Sequence, residues 1–335
     1  MPHQSSRSAH ARPSLPWRSS RWFIRILAIL LLATVALGCA GTLAYQRPLT
    51  VINWYDQWRL WWAGIAAREV VIDGVRLHYK EGGAGEPLVL IHGLGGSSDA
   101  DWGQVIVPLS RRFHVYAIDL PGFGRSDKPA NASYAIREQS ATVVKFLDRV
   151  GVRQAHLCGL SMGGWIAAYT ASTTPERVAR LILVDSAGVR FEPPPDRALL
   201  DPGTTPEDFT NFLKVLFFQP PQLPAPVVRD FQAQARRQAW VIDRALAAML
   251  TGDDALEPRL NRITSPTLII WGRQDALLPL HSGEKLKGGL PTANFVVIDR
   301  CGHMPPIERP EAFLREAERF LGATPPPQNE YTLVP

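Results

Sequence analysis

A single serine stands between two glycines in Gly159-Leu160-Ser161-Met162-Gly163. The apolar run of residues 155–158 precedes this segment, and the small-residue run of residues 164–168 follows it. This order predicts a strand, a sharp turn and a helix, with Ser161 at the tip of the turn. Both glycines are needed because a Cβ at either position would collide with the neighbouring backbone, while Ser161 must hold a strained conformation. The strain would lift the Ser161 hydroxyl out of the sheet, where a base and a substrate can both reach it.

A serine hydroxyl becomes a good nucleophile only when a positioned base removes its proton. His303 is the predicted base, since it follows a strand-like run and lies between a glycine and prolines that stiffen its loop. A carboxylate should then fix the imidazole tautomer and stabilise the imidazolium. Asp275 fits this role because it follows an apolar strand and a turn. Asp185, at the end of an earlier strand, and Asp299 are the alternatives.

Two backbone N–H groups near the serine should stabilise the oxyanion that forms during acyl transfer. One donor should belong to Met162, the residue that follows the nucleophile. The other is expected from Leu94, in the glycine-rich segment of residues 92–96, here called the glycine loop. Its glycines let the backbone come close to a substrate carbonyl. His92 is expected to orient or brace this loop rather than to act as a second base.

These motifs resemble those of the α/β-hydrolase superfamily over residues 67–322. Nucleophile, acid and base follow in the order Ser161, Asp275 and His303, as they do in that fold. The segment Asp-Leu-Pro-Gly-Phe-Gly-Arg-Ser at residues 119–126 is similar to the D-x-P-G-x-G-x-S turn of these enzymes, where its role is structural. The resemblance implies an α/β fold whose mostly parallel eight-stranded sheet is flanked by helices. It also implies hydrolysis through a serine nucleophile, without a cofactor.

Within the superfamily, the chain most resembles membrane-anchored monoacylglycerol lipases with one N-terminal span. The shared features are an aromatic and basic segment at residues 54–62, a stretch at residues 205–209, and the motifs around Asp275 and His303. The prolines that follow His303 depart from that pattern. The resemblance implies that the substrate is a small lipid-like carboxylic ester such as a monoacylglycerol.

The positive charge of the chain is concentrated at its N-terminus. Residues 1–25 hold five arginines and no acids, which accounts for the whole net charge of +5 and leaves no net positive field for nucleic acid. Residues 26–45 are uncharged and span about 30 Å as a helix, enough to cross a bilayer. A cleaved signal peptide has a shorter apolar core, about 7–15 residues. We therefore predict a basic cytoplasmic tail, a transmembrane anchor and an extracytoplasmic catalytic domain.

Residues 46–66 are predicted to form a juxtamembrane helix with an aromatic stripe. The stripe at helical spacing consists of Trp54, Trp58, Trp61 and Ile65, widened by Trp62. Directly after a span, such a stripe favours contact with the membrane interface, and packing on the domain is the alternative. Residues 36–39, Ala-Leu-Gly-Cys, faintly resemble a lipoprotein cleavage site, so a lipidated Cys39 is an alternative tether.

Strands and helices alternate over residues 67–189 and 260–322, the predicted catalytic domain. Residues 190–259 interrupt them with proline clusters and two helical patterns, at residues 206–218 and 227–250, which predict a helical cap over the site. Four apolar residues of the cap could line an acyl pocket or form the core of the cap itself. They are Leu213, Leu216, Phe217 and Phe218.

The remaining features concern cysteines and the C-terminus. Cys39 lies in the predicted span, and Cys158 and Cys301 are expected to be free thiols, because they lie on strands too far apart for a disulfide. No Cys or His spacing is typical of a metal site, so no metal is expected. Residues 323–335 are proline-rich and polar, which predicts a flexible tail.

Together these patterns predict a serine hydrolase that cleaves carboxylic esters of lipid-like substrates through an acyl-enzyme. Its expected partners are the small ester substrate and the membrane bilayer. The same three residues would also serve hydrolysis of a C–C, amide or thioester bond, where pocket shape decides. A ligand receptor on the same fold is the alternative outside enzymes, and it would form an adduct without multiple turnovers.

Overall fold

The computed structural model describes residues 18–190 and 197–335 of the chain, without the side chains of residues 18–21 and 23. Most of the predicted basic tail and the proline cluster at residues 193–195 therefore lie outside the described residues. The described part contains nine strands in one sheet. They are β1 (Ala66–Ile72), β2 (Val75–Gly82), β3 (Glu86–Ile91), β4 (Phe113–Ile118), β5 (Ala155–Leu160), β6 (Val178–Val184), β7 (Thr267–Gly272), β8 (Asn294–Ile298) and β9 (Tyr331–Val334).

Eleven α-helices precede, separate or follow these strands in the described residues. They are α1 (Arg18–Gln46), α2 (Pro48–Trp62), α3 (Ser98–Trp102), α4 (Ile106–Ser110), α5 (Ile136–Arg149), α6 (Met162–Thr173), α7 (Pro206–Leu216), α8 (Ala225–Leu250), α9 (Leu280–Gly289), α10 (Pro305–Glu308) and α11 (Pro310–Gly322).

The sheet has the order β1-β2-β4-β3-β5-β6-β7-β8-β9. Strand β2 pairs antiparallel with β1 and β4, and all other neighbours pair in parallel. This confirms the mostly parallel α/β-hydrolase sheet. The chain orders β3, β5, β6, β7 and β8 side by side, so the loops after their carboxyl ends meet at one edge of the sheet.

Both faces of the sheet are buried, as parallel sheets require. Along β3, Leu88 and Leu90 pack into one apolar cluster, while Val89 and Ile91 pack into the cluster on the other face. All four side chains are at most 1% exposed. The alternation follows from the two-residue period of a strand. The glycine loop directly follows β3, so this buried strand gives the loop a rigid support.

The C-terminal segment differs from the prediction of an eight-stranded sheet followed by a flexible tail. Residues 331–334 add β9 in parallel to β8. The Asn294 side chain prepares this pairing, since its Nδ2 donates to Pro327 O at 2.7 Å and its Oδ1 accepts from Glu330 N at 2.9 Å. The alternating side chains of Tyr331-Thr332-Leu333-Val334 suit an edge strand, and the prolines before them masked that signal.

The N-terminal part consists of two helices joined at Arg47. Helix α1 is about 44 Å long, and its segment Ile24–Gln46 is long and apolar enough to cross a membrane, with a mean hydropathy of 2.4. Pro48 starts α2, which ends at Trp62. The expected place of Ile65 on the aromatic stripe is wrong, because Ile65 follows the helix and is buried in the domain core.

The cap lies between β6 and β7 and contains α7 and α8, close to the two predicted helical patterns. Helix α7 begins with a capping box, in which Thr205 Oγ1 accepts from Asp208 N and Asp208 accepts from Thr205 N. The two helices share a small apolar cluster. Its members are Phe209, Leu213 and Val228, with Phe212, Phe217 and Phe231 against them.

Candidate active site

Ser161 occupies the predicted turn between β5 and α6. Its backbone adopts φ +55° and ψ −119°, a strained conformation for a residue with a side chain. A Cβ on Gly159 would lie 2.1 Å from Gly163 O, and one on Gly163 would lie 2.2 Å from Ile91 O. The predicted need for both glycines is confirmed. Ser161 N donates to Val184 O at 2.9 Å, which ties the strained turn to the sheet.

His303 and Asp275 meet at the same edge of the sheet, although 28 residues separate them in the chain. His303 Nδ1 lies 2.7 Å from Asp275 Oδ2, and both side chains are almost fully buried. Asp275 Oδ1 accepts from the N–H groups of Leu277 and Leu278 at 2.8 and 2.9 Å. The carboxylate is therefore fixed on one side by the backbone and on the other by the imidazole. This arrangement places the proton on Nδ1 and leaves Nε2 as an acceptor.

Asp185 lies beside this pair rather than in place of Asp275. Its carboxyl, that of Asp275 and a ring nitrogen of His303 lie within 4.8 Å of one another. Asp185 Oδ1 accepts from Gly272 N at 2.9 Å, whereas the buried Oδ2 has no donor partner among the described residues. Burial, and then the neighbouring Asp275 carboxylate, raise the pKa of Asp185 well above its usual range. A proton on Asp185 Oδ2 can therefore be donated to Asp275.

We expect Asp185→Asn to keep kcat on a soluble ester within about 3-fold of wild type, because an amide N–H can replace the carboxyl proton. Asp185→Leu should lower kcat by about 10-fold or more, since Gly272 N and Asp275 both lose a buried partner. Steady-state kinetics per titrated active site compare the two variants. An equally large loss in Asp185→Asn would show that Asp185 acts as an ionised carboxylate.

The same three groups have the composition of a metal-binding set, but their spacing favours a hydrogen bond. Two ligand atoms about 2.1 Å from a tetrahedral zinc ion would lie about 3.4 Å apart. The 2.7 Å separation of His303 Nδ1 and Asp275 Oδ2 is shorter than that and suits a charge-assisted hydrogen bond. Asp299, the third candidate acid, instead accepts from Gln274 Nε2 at 2.9 Å.

The glycine loop lies against the other side of Ser161. Gly93 N donates to Asp101 Oδ2 at 2.8 Å and Gly96 N donates to Gly93 O at 3.1 Å, which leaves the N–H groups of Leu94 and Gly95 at the middle of the loop. Met162 is the first residue of α6, where a backbone N–H has no partner within the helix. Leu94 and Met162 line one cavity together with Ser161.

His92 braces the glycine loop, as expected. Its ring is fully buried, with Nδ1 2.7 Å from Gly93 O, and Nε2 accepts from Leu120 N at 3.0 Å. Since Nε2 is used as an acceptor, the proton is on Nδ1 and is donated to Gly93 O. Both ring nitrogens are thus occupied by backbone groups, so His92 is not available as a second base.

Asp119 organises the turn of residues 119–126 next to this loop. Its carboxylate accepts from Ser98 N at 2.7 Å and Arg125 N at 2.9 Å, and it lies 3.0 Å from His78 Nδ1. Burial alone would raise the pKa of Asp119, but these hydrogen bonds together hold it well below its usual range. The structural role predicted for this motif is confirmed.

Two carboxyl groups of the site were not anticipated from the sequence. Asp101 is buried under the glycine loop, where a Cβ on Gly96 would lie 2.4 Å from Asp101 Oδ2. Burial raises the pKa of Asp101. Glu308 accepts from Gly302 N at 2.8 Å and from Phe218 N at 2.7 Å, and burial raises its pKa as well.

The prolines that follow His303 place Glu308 against the histidine loop. Pro305 begins α10, and this single turn brings Glu308 back toward the histidine loop. His303 N also donates to Leu216 O at 2.8 Å, at the end of α7. The cap is therefore joined to the loop of the predicted base. The proline pair two residues after His303 is the sequence signal for this turn.

A cavity of about 940 Å³ opens onto Ser161 and His303 beneath the cap. Its lining is mainly apolar, and three of the four cap residues singled out above belong to it, Leu213, Leu216 and Phe217. Leu213 also belongs to the cap cluster, so both expected roles apply to it. Phe218 is not among the lining residues and is 38% exposed.

Curated relatives of the chain include two kinds of hydrolase. It is 33% identical to the 2-hydroxymuconate semialdehyde hydrolase of Pseudomonas sp. (strain CF600), over 76% of this chain and 93% of that protein. It is also 33% identical to Lipase 1 of Psychrobacter immobilis, over 70% of this chain and 77% of that protein.

Solved structures show the same two kinds of neighbour. A membrane phospholipase A described as a bacterial virulence factor has a TM-score of 0.76 and 35% identity, covering 89% of this chain and 97% of the other. The meta-cleavage product hydrolase of Pseudomonas fluorescens IP01 has a TM-score of 0.65 and 28% identity, covering 77% and 98%. The profile of the alpha/beta hydrolase family matches residues 88–316, which include Ser161, Asp275 and His303. With this match added to the sheet order and the turn at Ser161, the chain belongs to the alpha/beta hydrolase family.

Proposed function

We propose that this hydrolase cleaves carboxylic esters of lipid-like substrates by a serine mechanism while tethered to a membrane. The observation that carries the proposal is the opening of a large apolar cavity onto Ser161 and His303, with His303 Nδ1 held 2.7 Å from Asp275 Oδ2. A reactive serine beside an apolar cavity suits an ester whose acyl chain must be buried while its carbonyl is attacked.

In the proposed reaction, Ser161 Oγ attacks the ester carbonyl and its proton passes to His303 Nε2. Asp275 stabilises the imidazolium through Nδ1. The N–H groups of Leu94 and Met162 donate to the oxyanion. His303 then gives the proton to the leaving alkoxide, which departs as an alcohol. Water then attacks the acyl-enzyme while His303 takes its proton. The acid leaves, and His303 returns the proton to Ser161 Oγ.

The shape and lining of the cavity support a single-chain lipid ester, with monoacylglycerol as the first candidate. A volume of about 940 Å³ lies at the upper end of small-molecule pockets. The cap supplies aromatic and aliphatic walls from both of its helices. The likeness to a lipase and to a membrane phospholipase A supports a lipid-like substrate.

Hydrolysis of a C–C bond is the second candidate, supported by the likeness to a 2-hydroxymuconate semialdehyde hydrolase and to a meta-cleavage product hydrolase. Two cations line the cavity, Arg190 and Arg197, and an acidic substrate would need such partners. Arg197 is already paired with Asp243, which is also part of the lining. Of these two cations, only Arg190 then remains for an acidic substrate. A neutral lipid ester needs no cationic partner, so we favour the ester.

The membrane tether rests on α1 and on one side of α2. The aromatic face of α2 consists of Trp54, Tyr55, Trp58, Trp61 and Trp62, each more than half exposed. Tryptophan rings prefer the boundary of a bilayer, where the apolar ring is buried and the N–H stays hydrated. The five arginines of residues 1–25 favour a cytoplasmic N-terminus and hence an extracytoplasmic catalytic domain.

One panel of substrates tests the proposal. The full chain in phosphatidylcholine vesicles is given monoacylglycerols of increasing chain length, p-nitrophenyl acetate and a 2-hydroxy-6-oxodienoate. We expect turnover of the esters, with kcat/KM rising with chain length by about 10-fold or more, because each buried methylene adds about 0.8 kcal/mol. Ala247→Trp, which narrows the cavity from α8, should reduce that rise and leave the acetate nearly unaffected.

The other outcomes would contradict the ester activity or the membrane tether. Faster turnover of the dienoate than of any ester would establish the C–C activity instead. Labelling of Ser161 by a fluorophosphonate without turnover of any substrate in the panel would favour another acyl bond or a receptor. Release of the protein from vesicles by an alkaline wash would contradict the tether.

A further inference from the structure

Helix α2 has a second side, which faces the catalytic domain instead of solvent. Leu60 on this side is 1% exposed and belongs to the core cluster under the sheet. Gln57 and Arg59 lie beside it and are half-buried. The aromatic face and this polar side are therefore two surfaces of one rigid element.

Gln57 joins α2 to the first turn of α3. Its Nε2 donates to Asp99 Oδ2 at 2.8 Å, and its Oε1 accepts from Lys80 Nζ. Lys80 is 1% exposed and lies 3.2 Å from Asp99 Oδ1. A buried cation with these partners holds its neighbours firmly, because leaving any of them unpaired is costly. Asp99 is thus fixed by α2 and β2 together.

Arg59 joins α2 to the other end of α3. Its Nη2 donates to Gly103 O at 2.9 Å, just after the last residue of that helix. Helix α3 has five residues, far below the length at which a helix is stable alone. Its position must therefore come from its tertiary contacts, and α2 supplies one at each end.

Helix α3 in turn carries the group that holds the glycine loop. Asp101, in its last turn, accepts from Gly93 N at 2.8 Å. Gly93 immediately precedes Leu94, the proposed oxyanion donor. A Cβ on Gly93 would lie only 3.4 Å from Ser161 Cβ, so this backbone passes directly beside the serine. A shift of α3 would consequently move the Leu94 N–H relative to Ser161.

We propose that α2 positions the glycine loop through α3, with Gln57 and Arg59 as positioning residues for the oxyanion donor. This rests on the proposed serine mechanism, since the donor matters only if an oxyanion forms. The same helix that presents aromatic side chains to the membrane then also sets the geometry of the active site. A displacement of about 1 Å in a catalytic group can reduce a rate by about 100-fold.

The test compares Gln57→Leu and Arg59→Met with Asn53→Leu, a matched polar-to-apolar change one turn earlier on the exposed side of α2. We expect kcat on p-nitrophenyl acetate, per titrated active site, to fall about 10-fold in each single variant and about 100-fold in the double variant. KM should stay the same. Affinity for an alkyl boronic acid, which mimics the tetrahedral intermediate, should fall by the same factors as kcat. Arg59→Lys should recover part of the loss because it keeps a donor.

Unchanged kcat per active site in the double variant overturns the proposal. So does a loss of titratable sites with unchanged kcat per site, because that marks a purely structural role. The rate of fluorophosphonate labelling provides a readout that does not depend on the natural substrate. If wild type cleaves no ester but Gln57→Leu lowers the labelling rate, the proposed function fails and the positioning role stands. If esters are cleaved and all variants match Asn53→Leu, the proposed function stands and the positioning role fails.

Discussion

Ser161→Ala should lower kcat on p-nitrophenyl and lipid esters by about 10⁶-fold, the loss seen when a serine hydrolase is deprived of its nucleophile. The remaining groups, the donors and the cavity, can still bind the substrate, so KM should change little. The structure gives the reason for so large a loss. Ser161 is held at φ +55° at the end of β5, where it faces the cavity that His303 lines.

The measurement is kcat by stopped assay at high enzyme concentration, together with mass spectrometry of the protein after exposure to a slowly deacylated ester. An acyl adduct on wild type and its absence in Ser161→Ala would identify the covalent intermediate. Ser172→Ala is the matched control, because Ser172 lies on the same helix α6 and its hydroxyl donates to Tyr169 O. More than about 1% residual kcat in Ser161→Ala would contradict the mechanism, because it exceeds what binding and donors alone supply.

Asp275→Asn should lower kcat by about 10⁴-fold with little change in stability. Asp275 Oδ1 already accepts from two backbone N–H groups, so an asparagine keeps its own oxygen there. Its NH₂ group must then face His303 Nδ1. That contact requires Nδ1 to be the acceptor, which moves the imidazole proton to Nε2. A histidine protonated on Nε2 cannot accept the Ser161 proton.

Asp299→Asn is the control for this prediction, since Asp299 was the neighbouring alternative and binds Gln274 instead. We expect its kcat to stay within about 3-fold of wild type, as for a surface substitution outside the site. Thermal unfolding and active-site titration show whether each variant is folded. A large loss in Asp299→Asn with a small one in Asp275→Asn would reverse the assignment.

The elements around Ser161 were predictable because their signals are local. Two glycines around a serine, an apolar run before it and small residues after it suffice to indicate the turn. His303 and Asp275 were predictable for the same reason, since each follows a buried strand and chain order restricts the choice. The helices of the cap were visible as periodic apolar patterns between prolines.

Other parts depend on contacts that no local pattern contains. Asp101 and Glu308 became significant only when folding brought them to the N–H groups of Gly93 and Phe218. Asp185 is an alternative to Asp275 in the sequence, whereas the fold places the two carboxyls side by side, where burial and the Asp275 carboxylate raise the pKa of Asp185. The role of β9 was missed because prolines dominate the composition of residues 323–335, and four alternating residues are too few to outweigh them.

Strand β9 also bears on how the protein is made. It follows β8 in the chain, and until it pairs, β8 is an uncovered edge of the sheet. The sequence of β8, Asn-Phe-Val-Val-Ile, is uncharged and, apart from Asn294, apolar, a composition that favours pairing with strands of other molecules. A chain that stops before Tyr331 keeps this edge exposed for its whole lifetime. We therefore expect removal of residues 331–335 to increase aggregation, an effect unrelated to catalysis.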